Sequence, residues 1–129
     1  MSERKIPAPF VNPENKPFWD AAAQGRLAIK RCNDCKQPHY YPRALCPFCF
    51  SDDTKWLDAK GTGEIYSYSV MRRGVPVPYA LAYVTLDEGP TMLTNIVDCD
   101  LDALAVGQRV KLVFKPSEDG SLVPMFAPA

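Results

Sequence analysis

The sequence predicts a mainly β protein in two parts, a short helix with a metal-binding ribbon followed by a five-stranded barrel. Two observations point to this fold class. Ten residues separate two C-x-x-C pairs, whose cysteines are Cys32, Cys35, Cys46 and Cys49. After Gly61 the chain changes to alternating and apolar segments divided by turn residues, which is the pattern of short strands. We therefore expect an extended arm, a helix with its ribbon and a barrel, covering residues 1–13, 14–60 and 61–129.

The first part is expected to open with a short helix near Glu14 to Gln24. Phe18 and Trp19, together with two alanines, give this segment an apolar side. Pro17 would lie in the first turn, where its missing N–H is tolerated. Gly25 would end the helix, because glycine readily adopts the left-handed conformation that follows a helix.

Two strands are expected to flank the cysteine pairs. Residues 27–31 alternate in side-chain character and lead into Cys32. A matching strand is expected after Cys49, near Lys55 to Leu57. Each cysteine pair would then lie in a tight turn close to a hairpin, which is the arrangement of a zinc ribbon.

Four cysteines at this spacing favour a structural zinc site. Tetrahedral thiolate coordination suits Zn²⁺, and each C-x-x-C turn aims two sulfurs at one ion. Four thiolates leave no open coordination position, so the metal would stabilise the fold without catalysing a reaction. Iron uses the same ligands and stays an alternative. His39 lies between the two pairs. Because four thiolates complete the metal coordination, we expect His39 at the surface or next to the ligands, and not as a ligand itself.

The second part contains five expected strands. They cover residues 62–73, 79–86, 91–97, 110–115 and 122–126. In the first strand, strict alternation would place Tyr66 and Tyr68 on the face opposite Ile65. A long first strand and a break between the third and fourth strands suggest a Greek-key barrel of the OB type. In that break, over residues 99–107, we expect a turn or a 3₁₀ segment where related barrels often carry a helix.

Charge and hydropathy narrow the function classes. Residues 1–60 carry a net charge of +3 and residues 61–129 one of −3, so the chain is neutral overall. Neither half has the basic excess of a protein that grips a phosphate backbone, so nucleic-acid binding is the less favoured alternative. No apolar run approaches the roughly 18 residues that a membrane helix needs. Metal-binding cysteines without an export signal point to the cytoplasm and argue against disulfides.

An ordered series of motifs extends over residues 14–127. It comprises Pro17-Phe18-Trp19, Gly25-Arg26-Leu27, the first C-x-x-C, Tyr41-Pro42-Arg43, C-P-x-C, Gly61-Thr62-Gly63-Glu64-Ile65-Tyr66-Ser67-Tyr68, Pro78-Tyr79, Gly89-Pro90, Gly107-Gln108-Arg109-Val110 and Pro124-Met125-Phe126. This series resembles the family of small proteins in which a rubredoxin-like zinc ribbon precedes an OB-fold. Such proteins are found as acyl-CoA-associated subunits beside thiolases.

The resemblance implies a non-catalytic accessory subunit. Members of the family assemble with thiolase-fold enzymes, which include thiolases, acyltransferases and retro-aldolases acting on steroid side chains. The partner would supply the catalytic residues, and this chain would stabilise it and help to form the acyl-CoA site. The residues agree, because the one histidine lies in the ribbon and no Ser–His–Asp set, carboxylate pair or phosphate loop is recognisable. A stand-alone acyl-CoA-binding protein is a further alternative.

A coenzyme A thioester would need cations for its phosphates and an apolar groove for its arm. Arg72 and Arg73 end the first barrel strand, beside the proline-rich loop that leads to Tyr79. We expect this loop to form part of a channel wall, with Arg72 or Arg73 at the phosphates and Tyr79 beside the ligand. A solvated arginine pair next to a proline turn fits the same residues equally well.

Overall fold

The computed structural model describes residues 5–129 and is mainly β, which confirms the expected fold class. One helix, α1 (Lys16–Ala23), precedes the ribbon strands β1 (Ala28–Cys32), β2 (Pro38–His39) and β3 (Thr54–Asp58). The barrel strands are β4 (Thr62–Met71), β5 (Tyr79–Leu86), β6 (Thr91–Ile96), β7 (Arg109–Pro116) and β8 (Leu122–Pro128). Part of the expected arm, residues 1–4, lies outside the described residues, and the three-part division of the chain stays a prediction.

Helix α1 is anchored by an aromatic cluster. Phe18 is 1% exposed and packs edge-on against Trp19, with 4.9 Å between the ring centroids. It also contacts the rings of Tyr40 and Tyr41 in the ribbon loop. The Trp19 indole N–H and the Asn15 amide both donate to the Tyr41 hydroxyl, at 3.0 and 2.8 Å. The helix is therefore fixed to the ribbon by apolar packing and by paired polar groups.

The ribbon is a three-stranded antiparallel sheet in the order β2-β1-β3. Ile29 pairs with Leu57 in the β1–β3 ladder, and the two expected strands are neighbours. Strand β2 was not expected, because two residues that include a proline carry no periodic pattern. It places His39 opposite Lys30 on the other edge of β1.

The barrel has the strand order β4-β5-β6-β8-β7 and closes where β7 pairs with β4. Strands β6 and β8 run parallel, and all other neighbours are antiparallel. This is the five-stranded Greek-key order of an OB-fold, so the expected barrel type is confirmed. A 3₁₀ segment at Leu101–Ala103 occupies the break after the third barrel strand, where a turn or such a segment was expected.

A β-bulge interrupts β4 between Ile65 and Ser67. Strict alternation along this strand is therefore wrong beyond Ile65, because a bulge shifts every later side chain by one position. Tyr66 remains 67% exposed, as outward placement predicts. Tyr68 instead lies opposite the buried Ala82 and, although 39% exposed, donates its hydroxyl hydrogen to the Leu104 carbonyl at 2.8 Å.

The core runs continuously from the helix through the ribbon to the barrel. It includes buried apolar side chains from all three regions: Phe18, Leu27, Ile29, Ile65, Val84, Val110 and Phe126. Within residues 5–129, no helix has the length and apolar character needed to cross a bilayer.

Candidate metal centre

The four cysteines that the sequence singled out lie together at one end of the ribbon. All their sulfur atoms lie within 4.8 Å of one another. Two of the separations, Cys32 to Cys49 and Cys35 to Cys46, are 3.6 Å. Sulfurs that surround one tetrahedral zinc at about 2.3 Å stand about 3.8 Å apart. The cluster therefore has the size that a single tetrahedral ion requires.

The two C-x-x-C segments adopt the same local structure. After the first pair, Lys36 takes a left-handed conformation (φ 67°) and its N–H donates to the Cys32 carbonyl at 3.0 Å. After the second pair, Phe50 (φ 64°) makes the equivalent bond to Cys46 at 2.9 Å. Each knuckle also directs one backbone N–H at its first sulfur, at 3.4 Å in both cases. This repeated geometry prearranges two sulfurs per knuckle to face one point.

Polar contacts join the two knuckles. The backbone N–H of Asn33 donates to the Asp53 carbonyl at 2.8 Å, and its side-chain amide donates to the Asp53 carboxylate at 2.9 Å. The Ser51 hydroxyl donates to the carboxylate of Asp34 in the first pair. These hydrogen bonds hold the two knuckles beside each other, so protein contacts help to keep the four sulfurs close together.

Two of the four sulfurs have pKa values displaced in opposite directions. Burial alone would raise the pKa of Cys46, but the N–H groups of Cys49 and Phe48 lower it to about 7. For Cys49, the Ser51 N–H favours the thiolate, yet partial desolvation and the neighbouring sulfurs raise the pKa to about 12. Four crowded thiols cannot all ionise by themselves, and a divalent cation supplies the charge that lets them do so. The donor set thus fits zinc, and the zinc-ribbon fold and the cysteine cluster together support a structural zinc site.

His39 is not at the surface, so that part of its expected placement is wrong. Its side chain is 3% exposed, because β2 pairs with β1 and turns the ring inward. Burial and the nearby positive charge of Lys30 lower its pKa. Neither ring nitrogen makes a well-formed hydrogen bond within residues 5–129, although the backbone of Arg43 lies close enough to oppose the lowering of the pKa. No sequence pattern indicated this burial, because β2 is too short to detect.

The β5–β6 turn joins the ribbon to the barrel. The Asp87 carboxylate accepts hydrogen bonds from both terminal guanidinium nitrogens of Arg109, at 3.1 and 3.0 Å, and from the Thr62 hydroxyl. The Arg109 guanidinium, and then the Thr62 hydroxyl, hold the pKa of Asp87 below its usual value. The next residue, Glu88, accepts the backbone N–H of Lys60 at 2.8 Å through one carboxylate oxygen. The residues of this segment predict only a turn.

The residues expected at coenzyme A lie far along the barrel strands from this turn. Arg72 follows the end of β4 and forms an ion pair with Asp102, while Arg73 is exposed and makes no ion pair within the described part of the chain. Tyr79 is half-buried at the start of β5, opposite Met71. The structure brings these three residues to one end of the β4–β5 hairpin, and their contact with coenzyme A stays a prediction.

A four-cysteine ribbon joined to a closed OB barrel defines the class of zinc-ribbon–OB-fold proteins. Residues 19–54 match the rubredoxin-like zinc ribbon domain of ChsH2, and residues 56–115 match the C-terminal OB-fold domain of ChsH2. The chain belongs to this family, that of the DUF35 domain-containing scaffold proteins. The family to which the motif series pointed is thereby confirmed.

Relatives and a solved structure support this assignment. A DUF35 domain-containing scaffold protein of Methanothermobacter thermautotrophicus is 35% identical over 101 residues, which cover 73% of this chain and 76% of that protein. A probable enoyl-CoA hydratase alpha subunit of Thermomonospora curvata is 36% identical over 127 residues, 95% of this chain; the chain spans only 40% of that subunit. A chain of the structure titled Ltp2-ChsH2(DUF35) aldolase matches with a TM-score of 0.81 and 35% identity, covering 94% of this chain and 98% of that one.

Proposed function

We propose that this chain is a non-catalytic scaffold subunit of an acyl-CoA-processing complex, in which a thiolase-fold partner carries out the chemistry. The likeness to a chain of the Ltp2-ChsH2(DUF35) aldolase, at a TM-score of 0.81 over almost the whole chain, carries this proposal. The names of its relatives include both scaffold proteins and an enoyl-CoA hydratase subunit. In the complex, the chain stabilises the partner and helps to form its acyl-CoA site.

The metal has a structural role in this proposal. We assign the ion to a closed set of four ligands: Cys32, Cys35, Cys46 and Cys49. Such a site holds the two knuckles together and leaves no position for a substrate. None of the five cysteines, all within residues 5–129, forms a disulfide, and metal-binding thiols suit the cytoplasm. Elemental analysis of the purified chain should find about one zinc per chain, and bound iron or no metal would overturn the assignment.

Exposed apolar side chains support a protein partner. On the second knuckle, Phe48 and Phe50 are 56% and 76% exposed. On the barrel, Tyr83 pairs with Leu93 across β5 and β6, and both are about half exposed beside Tyr66. Exposed apolar groups of this size on a small protein are typical of interaction surfaces. A scaffold needs such surfaces, whereas a monomeric enzyme does not.

Coenzyme A would meet the end of the β4–β5 hairpin. Arg73 offers an exposed guanidinium there, and Arg72 would have to exchange Asp102 for a phosphate. The half-buried Tyr79 supplies a ring face beside the proline-rich loop. These three residues would contribute to a site completed by the partner, with the arginines at the phosphates.

Capture of the complex tests the proposed assembly. The chain, tagged at one end, should bring down a thiolase-fold enzyme in a fixed ratio from its native cells. Substitution of Tyr83→Ser together with Leu93→Ser should weaken this association, whereas Lys111→Ser on the outside of β7 serves as a control. Recovery of the chain alone, or of bound nucleic acid at low salt, would contradict the proposal.

Titration of the complex with an acyl-CoA tests the ligand residues. Arg72→Ala and Arg73→Ala should each weaken binding about tenfold, as loss of a charge-assisted contact does. Arg26→Ala is the matched control, because Arg26 also forms an exposed ion pair, with Asp58 at 2.8 Å, but on the ribbon. Unchanged affinity in both barrel variants would remove these residues from the site while leaving the scaffold role intact.

A further inference from the structure

We propose that the outer edge of strand β3 is a docking site for an extended segment of a partner protein, which adds to the ribbon sheet as an antiparallel strand. In the order β2-β1-β3, strand β3 pairs with β1 alone within the part of the chain that the structure describes. The segment carries apolar residues on one face and an acidic residue on the other. This inference goes beyond the proposed function, because the edge can accept such a segment whatever the activity of the partner.

The hydrogen bonds at the two ends of the β1–β3 ladder fix which residues of β3 face β1. At one end the Asn33 N–H donates to the Asp53 carbonyl, and at the other the Ala59 N–H donates to the Leu27 carbonyl, both at 2.8 Å. Bonded and non-bonded pairs alternate along an antiparallel ladder. The odd-numbered residues of β3 therefore bond to β1, and the even-numbered residues direct their backbone groups to the other side.

Two backbone N–H groups are presented at this outer edge, those of Trp56 and Asp58. Neither group donates a hydrogen bond to any residue in the range 5–129, whereas the N–H of Thr54 donates to the Asp52 carbonyl at 3.0 Å. Buried backbone groups are almost always paired, so these two unpaired groups face solvent. N–H and C=O groups at every second residue match the backbone of an added extended strand.

An apolar groove beside this edge selects the side chains on one face of the segment. The groove has a volume of about 380 Å³ and is lined by Pro17 and Ala21 of helix α1 and by residues 56–58 of β3. The Lys30 ammonium lies 4.9 Å from the centroid of the Trp56 ring, which holds the ring on this face of the sheet. Segment residues opposite Trp56 and Asp58 would extend their side chains toward the groove, so apolar residues fit there.

Two cations on the opposite face of the sheet favour an acidic residue in the segment. Lys55 lies directly opposite Arg31, both are exposed, and neither forms an ion pair within residues 5–129. The Arg31 Nε–H donates to the Lys36 carbonyl at 2.9 Å, which holds the guanidinium in place. The carboxylate of Asp53 accepts from the Asn33 amide. Since like charges opposite each other destabilise a sheet, a carboxylate on the added strand opposite Lys55 would stabilise the assembly.

Nuclear magnetic resonance titration of the zinc-loaded chain with the peptide acetyl-VTVET-amide tests this edge. The antiparallel register places the two valines opposite Asp58 and Trp56 and the glutamate opposite Lys55. We expect saturable binding and slower hydrogen exchange of the Trp56 and Asp58 amides, with little change at Leu57, which already bonds to β1. Absence of saturable binding, or binding without protection of these two amides, would overturn the proposal.

Two altered peptides separate the backbone contact from the charge. A methyl group on the nitrogen of the central valine removes the N–H that donates to Trp56, and should weaken binding about fivefold or more. The matched control carries the methyl group on the glutamate nitrogen, which faces away from β3, and should keep most of the affinity. Lysine in place of the glutamate should weaken binding about threefold, because it would lie opposite Lys55. Equal losses for the two methylated peptides, or an unchanged affinity of the lysine peptide, would contradict the added strand.

A pair of variants of the chain locates the contact. Asp58→Pro removes one outward N–H at an edge position, where proline is tolerated, and should weaken peptide binding about tenfold. Asp58→Asn keeps this N–H and changes only the charge that pairs with Arg26, so it should bind as the unaltered chain does. Unchanged binding in Asp58→Pro would overturn the proposal. The amide spectrum of each variant verifies its fold, and the methylated peptides decide the question if Asp58→Pro does not fold.

A second copy of this chain is the other possible occupant of the edge, and sedimentation of the chain without peptide tests it. We expect a monomer whose Trp56 and Asp58 amides exchange rapidly at every protein concentration. A dimer whose formation protects these two amides would assign the edge to self-association and would overturn the proposal.

Discussion

Replacement of Phe18 by alanine should destabilise the whole chain, because this ring joins the helix, the ribbon and the barrel. Phe18 belongs to one buried cluster with Ile29 of the ribbon and Phe126 of the barrel. If the metal-binding ribbon and the barrel form a single cooperative unit, loss of this ring must affect both. A scaffold needs such rigidity to hold a partner in a fixed geometry.

The structure places the cost near the middle of the range for buried aromatic truncations. A buried Phe→Ala change costs about 3–5 kcal/mol, and more where the surroundings cannot collapse. Phe18 is 1% exposed, and the neighbouring ring of Tyr41 is held by hydrogen bonds from Asn15 and Trp19. The cavity therefore stays largely open. We expect a loss of about 4 kcal/mol in the free energy of unfolding.

Urea unfolding of the zinc-loaded protein, at fixed free zinc, measures this loss. With a slope of about 2 kcal/mol per molar urea, the midpoint should fall by about 2 M. Phe10→Ala is the control, because Phe10 is 82% exposed and its removal should change stability by less than about 0.5 kcal/mol. A fall of under about 1 kcal/mol for Phe18→Ala, or separate transitions for ribbon and barrel, would refute the reasoning.

Three further changes test other parts of the structure. Cys46→Ser should reduce bound zinc well below one per chain in elemental analysis, and full retention would contradict a four-cysteine site. Gly63→Ala should lower stability by about 1–3 kcal/mol in urea unfolding, since the new Cβ would lie 2.5 Å from the Thr85 carbonyl oxygen; no loss would contradict this close approach. The Arg109 guanidinium lowers the pKa of Asp87 in the folded chain. The ionised carboxylate therefore stabilises the fold at pH values above its unfolded-state pKa, near 3.8, and this contribution is lost as the pH falls through the folded-state pKa. Asp87→Asn should therefore flatten the acid limb of the stability profile, and an unchanged limb would exclude this role.

The cysteine spacing and the turn positions were enough to predict the two-part architecture. Four sulfurs on two short turns can surround one ion in few ways. Cys32 and the other three cysteines therefore predict a ribbon, whatever path the loop between the pairs takes. Five short strands with a break after the third likewise leave few closed barrels. These features depend on local chemistry, which a sequence displays directly.

The details around the site depend on contacts that a sequence does not display. Strand β2 has two residues, so the burial of His39 follows from pairing with β1 and not from any periodicity. The bulge after Ile65 shifts Tyr68 toward Leu104 because an unpaired residue enters β4. Glu88 lies in a turn. One of its carboxylate oxygens accepts the Lys60 N–H and the other is buried without a partner in residues 5–129, and both environments form only when the barrel packs against the ribbon.

The most direct test of the scaffold role is to measure acyl-CoA turnover by the zinc-loaded chain, by its purified partner enzyme and by the two recombined. We expect no turnover by the chain alone, weak or unstable activity of the partner alone, and restored activity in the mixture. Thioester turnover by the isolated chain, or a partner equally active and stable without it, would contradict this account.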